Sequence, residues 1–109
     1  MDILETVEYI KENVSPADLF SQLAEEAVEL AHAANKMARI IRGTNPTPKN
    51  KDQVANEIIE EFTDIMNVGH RVMDIEPDWV IGDYKMYRWR KRLEEQKNGD
   101  TQTGIDERK

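Results

Sequence analysis

The sequence predicts an all-α fold with two long antiparallel helices at its centre. Three observations carry this. Apolar residues recur at three- and four-residue spacing over two long stretches, as they do along one face of a helix. Residues that start and stop helices bound each stretch. No segment shows the two-residue alternation of a half-buried strand.

The first helix is short, with Ile3, Val7, Ile10 and Val14 at helical spacing. The second starts clearly: Ser15 is placed as N-cap, Pro16 sits at the first helical position and Asp18 in the first turn. It is expected to run from about Pro16 to Arg42, where Gly43 can close it in a left-handed cap. Pro46 and Pro48 then make the run from Thr44 to Asn50 a loop, because neither residue permits a helix to continue through it. Asn50 followed by Gln53 has the form of a capping box for a third helix. That helix is expected to reach about Ile75, with Glu76-Pro77 ending it. Asp78 caps a fourth, running to about Gln96. Residues 1–97 read as a single domain and 98–109 as a flexible polar tail.

With 109 residues, 39% hydrophobic and 34% charged, the chain suits a small helical protein that completes its core by oligomerising. A net charge of −7 argues against a nucleic-acid polymer as partner, which calls for a basic surface. It does not exclude a nucleotide whose phosphates arrive with metal ions. Without cysteine there is no disulfide, thiolate metal site or cysteine nucleophile. The N-terminus lacks a basic stretch followed by a long apolar run, and no apolar segment approaches the roughly 20 residues of a membrane span. A soluble cytoplasmic protein, with no membrane partner, is the expectation.

The most specific feature is a repeat. Glu25-Glu26-Ala27-Val28-Glu29-Leu30 and Glu60-Glu61-Phe62-Thr63-Asp64-Ile65 share one pattern, 35 residues apart. In each block the second acid interrupts an apolar stripe: Leu19, Leu23, Glu26, Leu30, Met37, Ile41 in one helix, and Val54, Ile58, Glu61, Ile65, Val68, Val72 in the other. At roughly 100° per residue, Glu26 and Glu61 lie near the centre of their apolar faces, with Glu29 and Asp64 on the flank. A buried carboxylate without compensation costs several kcal/mol, so four converging acids call for cations. Hard carboxylate oxygens suit Mg²⁺ or Mn²⁺. Glu60 reads as a surface acid.

Glu25-Glu26-x-x-Glu29 followed by Glu61-x-x-Asp64 resembles the EExxE…ExxD signature of the MazG-like all-α nucleoside triphosphate pyrophosphohydrolases. The resemblance covers roughly Pro16 to Leu93. It implies a four-helix bundle, oligomeric as a homodimer or homotetramer. It also implies Mg²⁺-dependent hydrolysis of a (d)NTP substrate to the monophosphate and pyrophosphate. Position by position, Glu26, Glu29, Glu61 and Asp64 match the metal ligands, and Glu25 matches the leading acid, able to orient or deprotonate the attacking water or to hold a further metal. The chain departs from the pattern in separation, with 31 residues between Glu29 and Glu61. The extra length includes Arg42-Gly43-Thr44-Asn45-Pro46-Thr47-Pro48, similar to a stretch in phage and bacterial members that act as dATP/dGTP diphosphohydrolases.

Lys85, Arg88 and Arg92 fall on one side of the fourth helix and are candidates to reach the triphosphate, as the basic C-terminal helix does in the resembled family. Arg42, with Arg39, is a further phosphate candidate, and Asn67 lies near the acids. Trp79 and Trp89, with Met86 and Leu93, form a separate apolar stripe expected in the core. Glu29-x-x-His32 matches half of a di-iron helical motif, but Asn67 stands where the second would need glutamate before His70. Two other readings compete. One is a metal-dependent nucleotide-binding regulator without turnover. The other is a structural oligomerisation module whose acids pair with arginines such as Arg39 or Arg71.

Overall fold

The computed structural model describes residues 2–44 and 50–99. Among them the structure is all-α, with no strand. The helices are α1 (Ile3–Asn13), α2 (Pro16–Arg42), α3 (Lys51–Ile65), which continues as a π-helical segment (Met66–Val72), and α4 (Trp79–Gly99). None of the described helices is long and apolar enough to cross a membrane. Packing divides the chain into two compact units, Met1–Ile75 and Glu76–Lys109.

Local chemistry sets the helix ends. Asp2 accepts the Leu4 amide at 2.8 Å and caps α1. Ser15 accepts from the Asp18 amide at 3.1 Å, with Pro16 directly after it. Gly43 closes α2 at φ 68°, a region open to glycine without a Cβ clash, and donates to the carbonyls of Arg39 and Ile40. At α3 both halves of the capping box form, Gln53 N–H to Asn50 Oδ1 and Asn50 N–H to Gln53 Oε1, each 2.8 Å. Each such cap is worth about 1 kcal/mol.

Three contacts give α2 and α3 their direction: Lys36 meets Glu57, Glu26 meets Glu61 and Asp64, and Leu23 meets Gly69. Numbers fall along α2 as they rise along α3, so the two helices run antiparallel. Their interface is the stripe read from the sequence. Val54 and Val72 are buried, and Leu19, Leu23, Leu30, Met37, Ile58, Ile65 and Val68 are half-buried around them. Burial of Val54, which is fully out of solvent, contributes about 2 kcal/mol. Ala33, not expected in the stripe, is also buried, its small side chain suited to close approach of the helices. Ile41 is a correction: it is 65% exposed, and Ile40 is the half-buried residue at that end.

The third helix also ends differently from expectation. From Met66 the helix widens, and Met73 N–H reaches back five residues to the Val68 carbonyl at 3.0 Å. The chain reverses at Asp74, whose φ of 60° is tolerated by aspartate better than by most side chains, and Ile75 N–H closes the turn on the Gly69 carbonyl at 2.9 Å. Lys11 of α1 holds the Asp74 carboxylate at 3.1 Å, which ties α1 to the π-helical segment. Helical structure therefore stops at Val72, before Pro77 can act.

In the second unit, Asp78 Oδ1 accepts from the Val80 and Ile81 amides, both at 3.1 Å, and starts α4 as expected. The helix reaches Gly99, beyond the expected Gln96. Trp79 and Trp89, expected in the core, are 71% and 54% exposed, and Met86 and Leu93 are exposed with them. A single helix has no apolar layer of its own in which to bury them. Residues 45–49 and 100–109, which hold most of the expected loop and tail, lie outside the described residues.

Candidate metal centre

α2 and α3 are both long enough to carry an acid at the middle of their shared interface. Glu26 follows Leu23 on α2 by three residues, and Glu61 follows Ile58 on α3 by three, so each stripe delivers a carboxylate where an aliphatic would otherwise sit. Antiparallel packing then brings the two together. Glu26, Glu61 and Asp64, all half-buried, offer oxygens that lie within 4.8 Å of one another.

Electrostatics make this trio costly. The Glu61 carboxyl is pushed above its ordinary value of 4.5, first by desolvation and then by the charges of Asp64, Glu29, Glu26 and Glu60. Among the described residues, no ion pair includes Glu26, Glu61 or Asp64. The cation nearest in register, Lys36, is engaged by Glu57 at 2.9 Å. Arg71, considered as a salt-bridge partner for the acids, donates instead to Asn67 Oδ1 at 3.1 Å. The donor chemistry fits a small hard cation: the trio offers three carboxylates and neither sulfur nor nitrogen.

The structure brings together three of the four candidate ligands. Glu29 is exposed and outside the trio, though near enough to act on Glu61. Glu25 and Glu60 are exposed on the same helices. Asn67 lies in the first turn of the π-helical segment, exposed, its side-chain oxygen taken by Arg71. Arg42 ends α2 sixteen residues after Glu26, about 24 Å along the axis at roughly 1.5 Å per residue, so the described helix does not bring it to the acids. Lys85, Arg88 and Arg92 share α4 in the second unit, where Arg88 stacks over the Tyr84 ring at 5.7 Å.

Sequence reasoning missed Gln22. Its Nε2 donates to Glu26 Oε2 at 2.6 Å. The available signal was its position one helical turn before Glu26. His32 is exposed, as expected for a residue off the stripe. No family model, curated protein or solved structure matches this chain.

Proposed function

We propose that the protein hydrolyses (deoxy)nucleoside triphosphates to the monophosphate and pyrophosphate with Mg²⁺ as cofactor, or Mn²⁺ in its place, in nucleotide-pool control or sanitation. One observation carries the reading: Glu26, Glu61 and Asp64 converge, and among the described residues none of them has an ion-pair partner. They do so on the two blocks that resemble the MazG-like EExxE…ExxD signature.

Glu26, Glu61 and Asp64 would hold the metal, with Glu29 joining from the exposed edge. A divalent cation there supplies charge neutralisation at the phosphates and lowers the pKa of water. Carboxylates fixed on two helices would hold the cation in one place and so position the phosphates for in-line attack at the α-phosphorus. Glu25, exposed and next to Glu26 in the chain, would orient or deprotonate the attacking water. Lys85, Arg88 and Arg92, with Asn67, remain candidates for the triphosphate.

A MazG-like bundle and a homo-oligomer belong to the same proposal. Support comes from the side of the α2–α3 pair away from the acids. Phe20, Ala24, Ala27 and Ala31 on α2, Ile59 and Phe62 on α3, and Met66 at the start of the π-helical segment are exposed at helical spacing. At roughly 100° per residue, these stripes fall on one side of an antiparallel pair. A second copy presenting the same face can cover them about a two-fold axis.

The test is a screen of (d)NTPs with Mg²⁺, reading pyrophosphate and orthophosphate separately. Pyrophosphate release supports the proposal. Metal-dependent nucleotide binding with no product would favour the regulator reading instead.

A further inference from the structure

Gln22 and Glu26 stand one turn apart on α2, where side chains four residues apart meet. Gln22 Nε2 donates to Glu26 Oε2 at 2.6 Å, a short contact for an N–H···O hydrogen bond. The other two acids differ: among the described residues, neither the Glu61 nor the Asp64 carboxylate accepts a hydrogen bond. The trio thus has one anchored member and two held only by their own helices.

The chemistry of the anchor matters. A glutamate has three rotatable bonds to order before it can ligate a cation, and a hydrogen bond to one oxygen settles that ordering in the metal-free fold. An amide does this without charge. A lysine or arginine at position 22 would neutralise Glu26 and compete with the cation, whereas glutamine leaves the full negative charge in place. Gln22 is itself exposed, so its side chain is not needed to fill the core.

We propose that Gln22 is a positioning residue of the centre, presenting the Glu26 carboxylate to a divalent cation through its hydrogen bond. This rests on the metal reading above. Residues that hydrogen-bond to ligating carboxylates typically change metal affinity by about 10- to 100-fold.

The experiment is a Mn²⁺ titration of the full chain, followed by the electron paramagnetic resonance signal of free Mn²⁺. Gln22→Met keeps the side-chain length and removes the donor, and Gln22→Ala serves as a second variant. Both should weaken Mn²⁺ binding roughly tenfold while the helical circular dichroism and metal-free melting temperature stay at wild-type values. In a Glu26→Gln background, Gln22→Met should change the affinity by less than about twofold, because Gln22 acts only through Glu26. Wild-type affinity in both Gln22 variants overturns the positioning role while leaving the metal reading intact. A tenfold loss that persists in the Glu26→Gln background overturns it as well. Absence of Mn²⁺ binding by the wild type overturns both readings together.

Discussion

Lys36 Nζ lies 2.9 Å from Glu57 Oε1 across α2 and α3, with 29% and 21% of the two side chains exposed. The acidic trio sits between this pair and the Leu23–Gly69 contact further along the same interface. The ion pair therefore clamps one side of the register that sets Glu26 opposite Glu61.

Lys36→Met should lower stability by about 1 kcal/mol, above a fully exposed pair and below a deeply buried one. Urea denaturation reads this as a lower midpoint at unchanged slope. An unchanged midpoint would show that apolar packing alone sets the register.

The second prediction concerns Glu61. Its folded-state pKa is raised, so between 4.5 and the higher folded value the folded chain holds more protons than the unfolded chain. Stability must then fall as pH rises through that window, and the deficit persists above it. Glu61→Gln removes the ionisation. The variant should melt higher than wild type at neutral pH without metal, with the gap shrinking as pH approaches 4. Thermal melts across pH 4–8 test this, and a variant that melts lower at pH 7 would contradict it.

Mn²⁺ or Mg²⁺ should reverse that deficit. A cation at about 100 times its dissociation constant adds roughly 2.7 kcal/mol to the folded state. For a domain of this size that is on the order of ten degrees in melting temperature. Glu26→Gln and Asp64→Asn should lose most of the shift. An equal shift in both variants would place the ion elsewhere.

Assembly gives a fourth expectation. Phe62→Glu puts a charge in the middle of the exposed apolar side, away from the trio. Sedimentation should then report a smaller species than wild type, with the helical spectrum retained. A wild-type chain that sediments as a monomer at all accessible concentrations would remove the second copy from the account.

How legible the molecule was in its sequence depended on the range of the interactions. Ser15, Gly43, Asn50, Gln53 and Asp78 act within four residues of themselves, and each bounds a helix as its local chemistry requires. The α2–α3 stripes were legible because they repeat over many turns. The reversal at Asp74 was not, since it depends on Lys11, 63 residues away, and on the Gly69 carbonyl. Glu29 and Asp64 hold equivalent places in the repeat, yet Asp64 joins the trio while Glu29 stays exposed. Which flanking acid turns inward follows from how two helices cross, a property spacing along one helix does not encode. Trp79 and Trp89 show the same limit: a stripe at helical spacing marks an apolar face, not what covers it.

The most direct test of the central claim is hydrolysis of a deoxynucleoside triphosphate by the Mg²⁺-loaded protein in ¹⁸O-water, read by mass spectrometry of the products. The monophosphate should carry one ¹⁸O and the pyrophosphate none, and Glu61→Gln should reduce turnover by about 100-fold or more. Orthophosphate as the product, label in the pyrophosphate, or full turnover by Glu61→Gln would contradict it.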